Sequence, residues 1–334
     1  YIRGQNLTLM KALLFMLFGF SALWATSQNF EYKVLFEGIG DNREYFNDYG
    51  YPQTILGSRA AFEGGVSSDN HKLRMGFSYL YEFGSQPDAQ KVKPIIYYQF
   101  TSPEFDFLFG AFSRRDKINF PLAMLTDTLL YYRPNIEGMY GKYTWNWGWQ
   151  NGFIDWLQRQ TDVNREMFTA GSSGEIFAGQ YFIENYFLIT HVANPGVRIE
   201  GQHIKDYMGF SLRAGIQTKE KAAFQGYLKA GILNSAYRER SVTDGFIIAN
   251  SLFAEARGQW KSLAIKTVLH SGQGHSFAFG DNFYRAKNYS RTDLIWYFLN
   301  KEQIKGHFNW SLHVIDWQEL NNQQQLSIIY VFGK

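Results

Sequence analysis

Apolar and polar residues alternate with period two along most of the chain. Phe30, Tyr32, Val34 and Phe36 interleave with Glu31, Lys33, Leu35 and Glu37. Leu73, Met75, Phe77, Tyr79, Tyr81 and Phe83 interleave with Arg74, Gly76, Ser78, Leu80 and Glu82. The pattern returns at 208–217, 262–270, 304–314 and 326–332. Successive side chains on a strand point to opposite faces, so each run reads as a strand with one apolar and one wetter face. The pattern predicts strands at 30–39, 54–66, 71–84, 93–101, 104–113, 137–149, 152–160, 165–177, 180–193, 206–218, 222–234, 244–257, 259–271, 291–300, 303–316 and 322–332. That is about sixteen strands, within a range of roughly 14–18. Segments 93–101 and 180–193 are apolar on both faces, which leaves their phase open.

The connections alternate in length. Longer ones at 38–53, 85–92, 114–136, 161–164, 194–205, 235–243, 272–290 and 317–321 are separated by tight ones such as 67–70, 102–103, 150–151 and 301–302, and only 161–164 is not clearly longer than its neighbours. One end of the sheet then carries turns and the other carries loops. This asymmetry, with strands of 10–14 residues, predicts an all-β fold: an antiparallel transmembrane β-barrel with short periplasmic turns and long external loops. A secreted β-sandwich is the rival, but its strands are typically about 5–6 residues long.

The stretch YTWNWGWQ, residues 143–150, puts Tyr143, Trp145, Trp147 and Trp149 against Thr144, Asn146, Gly148 and Gln150. Unpaired polar groups in hydrocarbon cost kilocalories each. The rings are therefore expected in a lipid-facing girdle, with Trp310, Tyr330 and Phe332, and the polar set on the inner wall. The expected turn lies near Gln150.

Composition supports this picture. The chain has 334 residues, 18% aromatic and 45% hydrophobic, which is too interleaved for a helical membrane protein. A net charge of +3 argues against nucleic acid as a partner. The absence of Cys excludes thiolate metal sites, disulfides and Cys catalysis. Met10-Lys11 followed by ALLFMLFGFSALWA reads as a cleaved signal peptide ending near residue 27. Residues 28–334 are then one barrel domain, exported to an outer membrane.

These features, with the final strand QLSIIYVFGK, resemble Gram-negative outer-membrane β-barrel proteins. In that class an aromatic-bearing last strand is the signal for the barrel-assembly machinery. Tyr330 and Phe332 match it, although Gly333-Lys334 follows Phe332. YYRPNIEG (131–138), DWLQRQT (155–161) and FYRAKNYSRTDLIWYF (283–298) are similar to uncharacterised barrel proteins of Bacteroidota.

Sixteen strands enclose an interior too wide for side chains alone to fill, so a porin-like channel for small hydrophilic solutes is the expected function. Its wall is expected to carry Arg59, Glu63, Arg74, Glu82, Arg213, Lys229, Glu255, Arg257, Lys266, His270, Lys305, His307 and His313. Bases exceed acids in this set, which implies a weak anion preference. The loop 114–136 has an apolar middle, INFPLAMLTDTLLYY, between Arg114, Arg115, Asp116, Lys117 and Arg133. Water disfavours that middle, so the loop is expected to fold back as a constriction or a lid.

Two other functions compete with the channel. Loop 272–290 bears Phe283, Tyr284, Arg285, Lys287 and Tyr289, the composition of a binding surface, which suits a receptor or secretion barrel. A lipid hydrolase would need a wall His with a hydroxyl, and LHSGQGHS offers His270-Ser271 and His275-Ser276. His270 and Ser271 point to opposite faces of a regular strand, so no catalytic residue is expected and the chain is expected not to be an enzyme. No cofactor or metal is indicated. The partners expected are outer-membrane lipids, a small solute and, for a porin-like barrel, further copies of the chain.

Overall fold

A computed structural model describes residues 29–86, 92–115, 117–219 and 222–333. The signal peptide expected at 1–27, Asp116 of the long loop and part of the turn at 219–221 lie outside these residues. The described strands are β1 (Asn29–Glu44), β2 (Gln53–Ser68), β3 (His71–Glu82), β4 (Val92–Thr101), β5 (Phe105–Ser113), β6 (Asn135–Trp145), β7 (Gly148–Gln158), β8 (Met167–Ala178), β9 (Tyr181–Val192), β10 (Lys205–Gln217), β11 (Phe224–Glu239), β12 (Ile247–Trp260), β13 (Leu263–Gly272), β14 (Asn288–Asn300), β15 (Ile304–Ile315) and β16 (Glu319–Gly333). Each pairs antiparallel with its neighbours in sequence, and β1 pairs with β16 to close the barrel. Closure removes every sheet edge, as hydrocarbon requires.

Register fixes the two faces. Phe36, Phe62 and Phe77 lie on the outer face, where they are exposed, while Glu37 pairs across from Arg59 on the inner face. All thirteen residues expected on the wall do lie on the inner face, by the parity of their strands. The wall is nevertheless not simply solvated. Arg59, Glu63, Arg213, Glu255, His270 and His313 are buried.

The burial comes from two inward loops. Residues 117–134 turn into the barrel and carry the short helix α1 (Thr128–Tyr132). Phe120, Ala123, Met124, Leu125 and Leu129 join a buried core with wall residues Leu108, Phe112, Tyr140, Phe153, Leu233 and Phe253. Residues 273–287 enter beside them and contribute Phe277, Phe283 and Tyr284. The loops are stitched by backbone hydrogen bonds, Thr126 N to Phe279 O (2.7 Å) and Asp281 N to Leu122 O (2.9 Å). The close approach needs Gly209, because a Cβ there would sit 2.2 Å from the Phe277 ring. The fold-back expected of the first loop is therefore inward. The second loop departs from the sequence reading: Phe283, Tyr284 and Tyr289 are core residues and present no aromatic binding surface.

The girdle also needs a correction. Tyr143 and Trp147 are exposed and Trp145 shares the outer face with Tyr143. The hairpin turn falls at 146–147 rather than at 150–151, with Trp145 opposite Gly148. A turn of two residues reverses the parity of the next strand. Trp149 thus pairs with Thr144 on the inner face, under Lys142 at 4.6 Å, and Gln150 faces outward. Gln150 is not left bare there. It donates to Ser172 Oγ (2.7 Å) and shares amide hydrogen bonds with Asn185 (3.2 Å). Trp310, Tyr330 and Phe332 do face outward.

Asp281 gives a testable pH dependence. Its carboxylate accepts from Phe283 N (3.1 Å) at the start of the 3-10 turn 282–285. Burial raises its pKa from 3.8 to about 6. The folded state then holds the proton more tightly than the unfolded chain. Stability is greatest below pH 3.8 and falls as the pH rises through about 6, by on the order of 3 kcal/mol in total. Asp281→Asn keeps the accepting oxygen and should flatten this fall. Urea midpoints at pH 4.5 and pH 7.5 should diverge less for the variant than for the native chain.

Candidate active site

The residues weighed against a hydrolase are HSGQGHS, 270–276. Ser271 does face outward, where it donates to Asn288 Oδ1 (2.8 Å), and His270 faces inward. His275 has the more suggestive contacts: Nδ1 meets Ser235 Oγ at 2.8 Å and Nε2 meets Ser251 Oγ at 2.7 Å. Three facts disqualify it as a base. It is 2% exposed beneath the inward loops. Burial lowers its pKa to about 3, far from the neutral range that general-base work favours. Its two partners are hydroxyls, and no carboxylate orients the ring. His275 is better understood as a pin that ties loop 273–287 to β11 and β12.

A different histidine has a carboxylate partner. His191, near the end of β9, lies opposite Asp206 of β10 in the ladder. His191 Nδ1 and Asp206 Oδ1 are 2.7 Å apart. Arg240, half exposed, donates to the other carboxylate oxygen at 2.9 Å. This is the one imidazole–carboxylate ion pair among the described residues. An ionised carboxylate only accepts, so Nδ1 carries the hydrogen, and in the neutral imidazole Nε2 is the nitrogen with the open lone pair.

Its surroundings decide what it can meet. His191 shares the outer face of β9 with Tyr181, Ile183 and Phe187, all exposed to lipid. The Phe168 ring lies 5.5 Å from His191, and Trp156 stacks on Phe168 at 5.5 Å. The dyad therefore stands on the outside of the barrel, at the loop end, on an aromatic floor. Ten residues separate Tyr181 from His191. At about 3.4 Å per residue and a tilt of about 40°, that is roughly 25 Å along the barrel axis, the height of the apolar belt. If Tyr181 marks one interface, His191 marks the other.

The neighbouring hydroxyls are elsewhere. Among the described residues no Ser, Thr or Tyr oxygen is hydrogen-bonded to His191. The arrangement suits activation of a water, with Asp206 fixing the ring and Arg240 fixing Asp206.

Sequence reading missed this pair for two reasons. Segment 180–193 is apolar on both faces, so its phase gave no sign that His191 faces out. Asp206 is 15 residues away and adjacent only through the β9–β10 register.

The closed sixteen-strand antiparallel barrel, aromatic on its outer face, defines an outer-membrane β-barrel protein. The chain belongs to the lipid A 3'-O-deacylase-type family, whose sequence model matches residues 25–332. Solved structures with a similar fold include OmpT of Vibrio cholerae, at TM-score 0.57 and 9% identity over 92% of this chain and 99% of that one. OccK2 of Pseudomonas aeruginosa is similar at TM-score 0.54 and 9% identity over 91% and 98%. An anion-selective porin from Comamonas acidovorans is similar at TM-score 0.54 and 11% identity over 92% and 99%. At such identities the likeness extends to the fold alone. No curated protein matches the chain. Membership of an enzyme family overturns the expectation of a non-catalytic barrel.

Proposed function

We propose that this barrel hydrolyses an acyl ester of lipid A from the outer leaflet, with His191 as general base and Asp206 as the residue that orients it. The observation that carries the reading is the outward-facing His191–Asp206 pair at the loop-end edge of the apolar belt. Lipid A holds its ester carbonyls at that depth, between sugar headgroup and acyl chains. In the proposed step His191 Nε2 takes a proton from water as its oxygen attacks the ester carbonyl. The tetrahedral intermediate collapses by expelling the sugar alkoxide, which receives the proton from the imidazolium. A fatty acid and a free hydroxyl result. Trp156 and Phe168 give the acyl chain an apolar surface beside the base, and Arg240 places a cation near the phosphorylated headgroup.

The test is fatty-acid release from lipid A in mixed micelles by the folded, purified barrel. Steady release is the expected result. Absence of release between pH 6 and pH 9 from protein shown to be folded would count against the proposal.

A channel for small hydrophilic solutes is the second reading. What favours it is the charged inner wall toward the turn end, where Arg213, Lys229 and Lys266 face Glu184 and Glu255. The apolar core formed by the two inward loops weighs against a wide bore at the loop end.

A further inference from the structure

We infer that the barrel binds a phosphate group in an inner cavity distinct from the outward dyad. The cavity, about 330 Å³, lies between β2–β4 and the returning limb of the first inward loop. Three cations line it: Arg59 from β2, Lys93 from β4 and Arg133 from the end of α1. Glu82 is the one carboxylate in the lining. Ser78 and Tyr132 add hydroxyls.

The donors and the net positive charge of the lining argue for the ligand class. Arg59 is already engaged, donating to Leu130 O at 2.9 Å, to Tyr131 O and to Glu37 at 3.4 Å. Lys93 and Arg133 form no ion pair among the described residues, and Arg133 donates to Leu157 O at 3.3 Å. Many other inner-facing cations do face a carboxylate, among them Arg43, Arg74, Arg114, Arg213, Lys229 and Arg291. With Arg59 balanced by Glu37, Lys93 and Arg133 outnumber Glu82 by one positive charge. A phosphate group offers three acceptor oxygens, enough to accept from Lys93, Arg133 and the hydroxyls of Ser78 and Tyr132 together. A carboxylate offers two. Arg133 supplies a planar fork of donors and Lys93 a point charge, a division of labour common in phosphate sites.

The inference goes beyond the ester-cleaving proposal and does not depend on it. The phosphate could arrive on a free solute or on a lipid headgroup, and the test separates these sources. Calorimetric titration of the folded barrel in neutral detergent with inorganic phosphate should show saturable binding at one site. Lys93→Met with Arg133→Met should weaken it by about 10–100-fold, while Arg133→Lys retains part of it. Glu82→Gln should tighten it. Competition by lipid A, and not by dephosphorylated lipid A, would assign the phosphate to a headgroup. Phosphate binding without such competition would assign it to a free solute. Lack of saturable binding, or binding untouched by the double variant while its heat-modifiable folding is normal, would overturn the inference. None of these outcomes requires ester cleavage.

Discussion

His191→Ala is expected to lower fatty-acid release by about 10²–10⁴-fold, the range that a positioned general base contributes. His191 is partly exposed on the outer face, beside Phe168 and Asp206, so the barrel should still fold. Asp206→Asn should lower release less. The imidazole remains, but an amide can donate to Nδ1 and so favour the wrong tautomer. Asp206→Glu should recover part of the loss, which a purely structural role for Asp206 would not produce. His275→Ala is the control. It removes the hydrogen bonds to Ser235 and Ser251 and should loosen loop 273–287 without abolishing release. If His275→Ala abolishes release and His191→Ala does not, the chemistry sits inside the barrel and the outward dyad is a surface ion pair.

The second large effect concerns stability. Glu255→Gln is expected to destabilise the barrel by about 3–5 kcal/mol, the cost of leaving buried charge uncompensated. Glu255 faces Arg213 Nη1 at 3.3 Å, Lys229 at 3.5 Å and Lys266 at 3.7 Å, and Tyr227 donates its hydroxyl to it. Arg213 also meets Glu184 at 2.5 Å and lies over the Phe253 ring at 4.8 Å. The network holds three cations and two carboxylates. Removing Glu255 leaves three cations facing Glu184, whereas removing Lys266 leaves a balanced set. Lys266→Met, at the most exposed member, should therefore cost far less, about 1 kcal/mol or below. Urea unfolding of the folded barrel in detergent reads both. The Glu255→Gln, Lys229→Met double variant should recover part of the loss, because it removes the charge that Glu255 had balanced.

Much of the fold was legible because each structural demand left a mark with a fixed period. Hydrocarbon on one face and a polar interior on the other force alternation, so the strands and their order could be read directly. The inward loop was legible for the same reason. INFPLAMLTDTLLYY is too apolar for water and had to find a core. The error at Trp149 shows the limit of periodicity. Alternation through 143–150 looks like one strand, but Gly148 lies beneath the Trp145 indole, and the chain reverses just before it. After such a turn the parity is inverted, so the inward Trp149 was assigned to lipid and the outward Gln150 to the wall. The candidate site was less legible still. Alternation reports the two faces of a strand and says nothing of which residues meet across a ladder. His270-Ser271 drew attention because the residues are adjacent in sequence, and that same adjacency sends them to opposite sides of the wall. His191 and Asp206 meet through register alone.

The charged inner wall and the membership of a deacylase-type family point to different uses of one barrel. They differ over which surface acts. A channel works through its bore, whereas an ester hydrolase for outer-leaflet lipid works at its rim. The inward loops, with Phe120, Met124, Phe277 and Tyr284, fill part of the barrel interior with an apolar core. The dyad is outside, where the lipid is.

The most direct measurement is mass spectrometry of lipid A extracted from cells that express the folded barrel, beside cells that express His191→Ala. A species lighter by one acyl chain is expected in the first and its absence in the second. Identical lipid A in both, with folded barrel present in both outer membranes, would contradict the proposed chemistry.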